Sequence, residues 1–260
     1  HLLEAARLVG SVEAFVCITT DKCYENREWV WPYRESDPMG GSDPYSSSKG
    51  CTELVASAYR RSFFADPAGC QVATVRAGNV FGGGDWAVDR LVPDIIRAAI
   101  AGTPVQIRNP ASVRPWQHVL EPLSGYLTLG AAMLADPAKA PALATGWNFG
   151  PDAGAFIDVE TIARSVISAW GAGAPPIEFG KRSDDPHEAG MLTLDSNKAR
   201  IELGWRPRLA PAQAVDFTTA WYRAYAEGTQ DMRAFTANQI AAYTGEPVSV
   251  STSGDNRLCA

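Results

Sequence analysis

Tyr45 and Lys49, in the stretch Tyr45-Ser46-Ser47-Ser48-Lys49, are the side chains whose types and spacing most directly permit chemistry. Residues four apart share one face of a helix. A phenol titrates at about 10 in water and is a poor base at neutral pH unless positive charge beside it favours the phenolate. The Lys49 ammonium is placed to supply that charge. An isolated Tyr-x-x-x-Lys is more often an ornament of a solvated helix than a catalytic pair, so its meaning depends on the surrounding chain.

The elements that must position the pair are legible. Asp43-Pro44 is a helix-start signal, and Cys51, Leu54, Val55, Ala58 and Tyr59 recur at three-and-four spacing behind it, which predicts an amphipathic helix. Upstream, Ala14-Phe15-Val16-Cys17-Ile18-Thr19 is a short apolar run of β-formers, expected as a strand covered on both faces of a parallel sheet. Thr20-Asp21-Lys22 follows it. In open α/β sheets ligands sit beyond the carboxyl ends of strands, so these polar side chains lie where a site belongs. Residues 23–43 read as an irregular loop. A second buried strand, Gln71 to Arg76, runs into Ala77-Gly78-Asn79 and the glycines Gly82-Gly83-Gly84. That cluster reads as a turn or substrate loop rather than a dinucleotide fingerprint, because Trp86, Asp89 and Arg90 follow where a tightly packed helix start is required.

Beyond Leu91 the pattern changes. A helix over Val92–Ile100 carries Pro93 in its first turn and closes at Gly102; short strands are expected at 105–107, 147–149 and 177–179. Helices are expected through Tyr126 to Met133, at 159–170, 196–203 and 211–226, with an extended piece at 191–194. The opening Leu2-Leu3-Ala6-Leu8 pattern looks like the later part of a helix, and from about Thr244 the polar, Gly/Ser-rich chain is expected to be poorly ordered. Residues 1–90 are therefore read as part of a Rossmann-like α/β domain, 91–244 as mainly a smaller mixed α/β substrate domain with segments returning to the sheet, and 245–260 as a tail.

With 260 residues, 46% hydrophobic and 20% charged, the chain can bury one large core or two smaller ones. A formal net charge of -6 gives no general attraction to nucleic acid or an anionic membrane. No apolar run reaches bilayer length. The five cysteines, Cys17, Cys23, Cys51, Cys70 and Cys259, are odd in number and lack paired metal-ligand spacing, which suits a reducing cytoplasm and predicts no metal site.

Taken as a set, Thr20-Asp21-Lys22-Cys23-Tyr24-Glu25-Asn26, the Tyr45/Lys49 helix, the strand leading to Asn79, Arg114-Pro115-Trp116-Gln117-His118-Val119-Leu120-Glu121-Pro122 and Leu203-Gly204-Trp205-x-Pro207 resemble the extended short-chain dehydrogenase/reductase family acting on nucleotide sugars. Within it the Thr-Asp-Lys triplet is similar to that of the CDP-glucose 4,6-dehydratases, where the dTDP-glucose enzymes carry Thr-Asp-Glu. The likeness runs from His1 to about Thr244. The family's glycine-rich fingerprint is absent from this sequence, and roughly 100 residues of upstream βα units, at about 30 per βαβ unit, are expected to be missing.

The resemblance implies a lyase of deoxysugar biosynthesis with NAD as cofactor, CDP-glucose as substrate and a homodimer as assembly. The sugar is oxidised at C4, loses water across C5 and C6, and regains the hydride at C6. Tyr45 would take the C4 hydroxyl proton, Lys49 would hold the nicotinamide ribose, and Thr20 would orient the C4 oxygen. Asp21 would act as general acid for the departing C6 hydroxyl, since a desolvated carboxyl keeps its proton near neutrality. Lys22 would serve either as C5 base or as electrostatic stabiliser of the enolate. Asn79 would contact substrate or nicotinamide, Arg114 would clamp the diphosphate, and Arg90 and His187 would contact the nucleotide. Trp116 and Trp205 read as core or pocket wall. A 4-epimerase or another nucleotide-sugar dehydratase is the neighbouring reading, and a binding fragment of the same fold the reading from another class. Because the fingerprint is missing, the 260-residue chain is predicted to bind NAD weakly. Titration calorimetry giving micromolar or tighter affinity would refute this.

Overall fold

A computed structural model describes residues 1–152, 156–180 and 189–245. Helix α1 (Leu2–Val9), closed by a left-handed Gly10, leads into strand β1 (Ala14–Ile18). A single 3-10 turn at Asp21–Cys23 ends that strand, with Thr20 as its cap. Helix α2 (Pro44–Ser62) starts where Asp43 accepts from the Ser46 N–H and Pro44 occupies the first turn, as the sequence signal requires. Strand β2 (Gln71–Ala77) then pairs with β1 in parallel, Ala14 opposite Gln71 and Ile18 opposite Val75.

The remaining elements are β3 (Val80–Phe81), α3 (Leu91–Ala101), β4 (Val105–Ile107), β5 (Val113–Arg114) and β6 (Gln117–His118). They are followed by α4 (Leu120–Ala135), α5 (Ala140–Leu143), β7 (Gly146–Phe149), β8 (Ile157–Asp158), α6 (Val159–Trp170) and β9 (Ile177–Phe179). The described chain ends with α7 (Asn197–Glu202), α8 (Pro211–Glu227) and α9 (Met232–Thr244). Among the described residues the main sheet has the order β1-β2-β7, all parallel, so β7 returns to the first half of the chain from deep within the second. Three two-stranded pairs, β3 with β6, β4 with β9 and β5 with β8, complete the set.

Among the described residues the two largest of four apolar clusters bear on the site. One lies on the sheet, where Ala73, Val75, Trp147 and Phe149 meet Leu129 and Met133 of α4 and Trp205. The other joins Val92, Ile95 and Ile96 of α3 to Ile162 and Val166 of α6 and to Val215 and Tyr222 of α8. The expected strands at 105–107, 147–149 and 177–179 are present. Helix α9 was not anticipated, because its apolar residues make no clear stripe and the helix leans on α8 through only a few of them. The 191–194 piece is extended but joins its neighbours by isolated bridges at Met191 and Leu194. Strand β1 departs from the expectation of two covered faces. Among the described residues it pairs with β2 alone and has half-buried side chains, Ile18 60% exposed, whereas β2, paired on both sides, is buried along all seven residues. The expected tail at 245–260 lies, but for Gly245, outside the described residues.

A buried charge sits beneath the sheet. Arg76 of β2 and Glu53 of α2, each 3% exposed at the side chain, pair through Nε–Oε1 at 2.8 Å and Nη2–Oε2 at 2.9 Å. Burial alone raises a carboxyl, but the Arg76 guanidinium and the hydroxyls of Thr19 and Thr74 leave Glu53 net below its usual range. Breaking such a pair strands a desolvated charge. Arg76→Met is therefore expected to lower stability by about 3–5 kcal/mol, and adding Glu53→Leu to recover part of the loss, as measured by denaturant unfolding.

Candidate active site

The carboxyl ends of β1 and β2 open into a cavity of about 530 Å³, within the range of small-molecule sites. Thr20, Asp21 and Lys22 enter it from the turn after β1, Tyr45 from the first turn of α2, and Asn79 from the segment after β2. Arg90 comes from the residue before α3 and Arg114 from β5. Seven residues expected from sequence thus converge on one space. Lys49 does not line it but lies behind the phenol, its Nζ 5.5 Å from the Tyr45 ring centroid. His187 lies outside the described residues.

Asp21 is the unusual group. It is 2% exposed, and burial pushes its carboxyl up to about 6, against the hydrogen bond from Thr20 and the charges of Lys22 and Arg114. Its Oδ1 accepts from Thr20 Oγ1 at 2.9 Å, while Oδ2 is buried without a partner. A buried carboxyl oxygen with no partner is costly unless protonated or met by a ligand, so the arrangement favours a proton donor. Gly78 permits the approach: a Cβ there would fall 2.1 Å from Pro115 Cγ and 3.1 Å from Asp21 Oδ2. Only glycine lets the chain after β2 close over the carboxyl.

The far end of the cavity is lined by Leu91, Val92, Ile107 and Trp116 beside Asp85, Asp89, Arg108 and Asn109. This mixture of apolar and polar lining suits a ligand with both a ring and charged groups. Tyr222 OH donates to the Asp85 carbonyl and Arg97 to the carbonyls of Trp86 and Ala87, which ties the segment after the glycines to α8 and α3. Arg114 is 2% exposed, and its Nη1 and Nη2 already donate to the carbonyls of Val113 and Ala189. It is a wall residue as much as a clamp, and the exposed Arg90 presents the more accessible charge. Trp116 is cavity wall packed on Phe81; Trp205 is core, its indole N–H donating to Ser124. Buried His118 is kept neutral, its titration lowered to about 4 by burial, and it packs on Phe217 away from the cavity.

Sequence reasoning passed over Glu53 and Arg76. A signal for both was present: a carboxylate four residues beyond Lys49 on a helix, and a guanidinium inside an otherwise apolar strand, each demanding a partner. Among the described residues no cluster of His, Cys, Asp or Glu is arranged to hold a metal, and no helix is long and apolar enough to cross a membrane.

Comparison with known proteins bears on this geometry. The model of the GDP-mannose 4,6 dehydratase family matches residues 1–217. The chain belongs to this family. It is 50% identical to the CDP-glucose 4,6-dehydratase of Salmonella typhimurium over 248 residues, covering 94% of this chain and 67% of that protein. A dTDP-glucose 4,6-dehydratase of an Actinoplanes species is 27% identical, with 86% of this chain and 64% of the relative covered. The crystal structure of dTDP-glucose 4,6-dehydratase from Bacillus anthracis in complex with NAD superposes with a TM-score of 0.72 at 21% identity, over 87% of this chain and 66% of the other. That likeness carries the fold: a Rossmann-type parallel α/β sheet, as the sequence reading expected. The chain spans about two thirds of the length of these relatives.

The raised titration of Asp21 has a consequence for stability. Its unfolded carboxyl titrates near 3.8 and the folded one at about 6, so the folded chain holds more protons between those values and loses stability as pH rises through that window. Asp21→Asn removes the penalty. The variant is expected to match the wild type near pH 4 and to exceed it by on the order of 2–3 kcal/mol above pH 7, in denaturant melts across pH.

Proposed function

We propose that the chain carries the sugar-transforming site of an NAD-dependent nucleotide-sugar 4,6-dehydratase, with CDP-glucose as substrate and a CDP-linked 4-keto-6-deoxyglucose as product. The observation that carries the reading is the buried Asp21 carboxyl, one oxygen of which has no partner, lining the same cavity as Tyr45. An epimerase has no leaving hydroxyl to protonate and no use for such an acid. Membership of the dehydratase family and half-identity to a CDP-glucose 4,6-dehydratase support the choice of substrate.

Each residue then has a task. Tyr45 accepts the proton of the C4 hydroxyl, with the Lys49 ammonium 5.5 Å from its ring centroid. Thr20, one residue before Asp21, orients the C4 oxygen. Oxidation at C4 makes the C5 proton acidic; Lys22 takes that proton or steadies the resulting enolate by its charge. Asp21 gives its proton to the departing C6 hydroxyl so that water rather than hydroxide leaves. Arg90 and Arg114 meet the diphosphate, and the apolar lining at Val92 and Ile107 takes the base.

The donors around Tyr45 suit the nicotinamide half of NAD: a phenol and an ammonium for ribose hydroxyls, and the Asn79 amide for a carboxamide or sugar oxygen. No stretch of the sequence supplies the glycine fingerprint for its pyrophosphate. When bound, NAD provides the reversible removal of hydride from C4 and its return to C6. The reading extends to a homodimer docked through α2, whose Leu54 and Val55 are exposed along with Phe63 just past its end, and to a reducing cytoplasm, consistent with the free thiols Cys17, Cys23, Cys51 and Cys70.

The test is turnover of CDP-glucose and dTDP-glucose by the full-length enzyme, followed as 4-keto sugar. Preference for the CDP sugar is expected, and equal turnover of both would overturn the substrate assignment. The Asp21→Asn enzyme is expected to reduce bound NAD on mixing with substrate yet to lose dehydration by about 10²-fold or more, the range of a missing general acid.

A further inference from the structure

The groups assigned to the reaction come from two separate elements. Tyr45 and Lys49 ride on α2, whereas Thr20 and Asp21 sit on the turn after β1. Both must address one sugar ring, so the offset of helix against turn has to be fixed. Apolar packing is sparse near the reacting groups, where the buried residues of α2 are Ser46, Gly50, Glu53 and Ala56. Towards the far end of α2, Tyr59 packs on the cluster of Ala6, Phe64, Cys70 and Val72, and Arg60 Nε donates to the Val72 carbonyl at 2.6 Å. Small side chains allow close approach, and Gly50 lies against the Cys23 carbonyl, where a Cβ would come to 3.6 Å. They offer little resistance to sliding, having few interdigitating atoms.

Glu53 supplies the directional contact to the sheet that lies nearest Tyr45 and Lys49 along the helix. It lies four residues beyond Lys49 and eight beyond Tyr45, on the same side of the helix. Its Oε1 accepts from Thr19 Oγ1 at 2.5 Å and from Arg76 Nε at 2.8 Å; its Oε2 accepts from Thr74 Oγ1 at 2.7 Å and from Arg76 Nη2 at 2.9 Å. Thr19 is the residue before Thr20-Asp21. On the other side of the turn, Tyr24 OH accepts from Arg76 Nη1 at 2.7 Å and donates to Asn148 Oδ1 at 2.7 Å on β7. Both flanks of the Thr20–Asp21 turn are thus tied to one carboxylate, Thr19 directly and Tyr24 through the guanidinium. Glu53 itself does not line the cavity.

We propose that Glu53, clasped by Thr19, Thr74 and Arg76, is a positioning residue that sets the register of the Tyr45–Lys49 helix against the Thr20–Asp21 turn. Its consequence for turnover rests on the dehydratase reading. Its consequence for geometry does not.

The discriminating variant is Thr19→Val, which removes one arm of the clasp and leaves the bidentate pair and Thr74 to hold the fold. In the full-length enzyme kcat is expected to fall about tenfold or more while KM for the nucleotide sugar stays within about twofold, as for displaced but still bound reactants. Thr19→Ser, which restores the hydroxyl, is expected to recover most of the rate. Glu121→Gln serves as control. Glu121 is an equally buried carboxylate that accepts from the Arg208 and Leu209 amides and from Tyr243 OH without lining the cavity, so its loss should lower Tm and leave kcat unchanged. A Thr19→Val enzyme with wild-type kcat, a rise in KM in place of the fall in kcat, or no rescue by serine would overturn the proposal. A crystal structure of Thr19→Val is expected to show Asp21 displaced from Tyr45 by about 0.5 Å or more, the tolerance of a working site, and an unchanged separation would overturn it. If the wild type converts no nucleotide sugar, the functional reading fails and the crystallographic comparison still decides the positioning role.

Discussion

Removal of charge from water governs this structure in two opposite ways. At Glu53 and Arg76 the cost of burying a carboxylate and a guanidinium is offset by two mutual hydrogen bonds and two hydroxyl donors, and both groups stay charged. At Asp21 the same burial meets one hydroxyl and no full counter-ion, so the carboxyl moves toward its protonated form. The first arrangement joins helix to sheet. The second, one short turn away, leaves an acid in a cavity.

That contrast explains how a parallel crossover becomes a site. The unit β1-α2-β2 brings the end of a strand and the start of a helix to the same side of the sheet, as any such unit does. What distinguishes this one is that the helix presents small residues to the turn, and the chain after β2 crosses the turn at Gly78. Close approach excludes water from Asp21, while Tyr45, 52% exposed, stays reachable. A carboxyl pushed towards its protonated form and an exposed phenol thus face one cavity in different surroundings, and backbone geometry provides both.

The second half of the chain contributes walls rather than acids and bases. Helix α3, strands β4 and β5 and the residue Trp116 close the far end of the cavity, and the loop at Asp85–Arg90 is fastened there by Tyr222 and Arg97. Apolar packing of α3, α6 and α8 holds this assembly, so the shape of the binding end rests on a different core from the one beneath the sheet.

Local sequence determined the elements and the roster of reactive groups. Asp43 and Pro44 specify the start of α2, but the apolar residues read as its stripe, Cys51, Leu54 and Val55, are exposed, and the helix buries Ser46, Gly50, Glu53 and Ala56 instead. Asn79 and Arg114 are named through the family resemblance. The apolar run specifies β2; Thr20-Asp21-Lys22 is readable as a polar group at the end of a strand, and Tyr45 with Lys49 by their spacing. These properties depend on neighbours a few positions away in the chain, which a sequence shows. It did not show α9, whose weak stripe leans on α8. The state of Asp21, the inward turn of Arg114 toward backbone carbonyls, and the joining of Glu53 to Arg76 and Thr19 were decided by tertiary structure alone. Desolvation and hydrogen bonding act between residues tens of positions apart, and no local pattern encodes which of them meet.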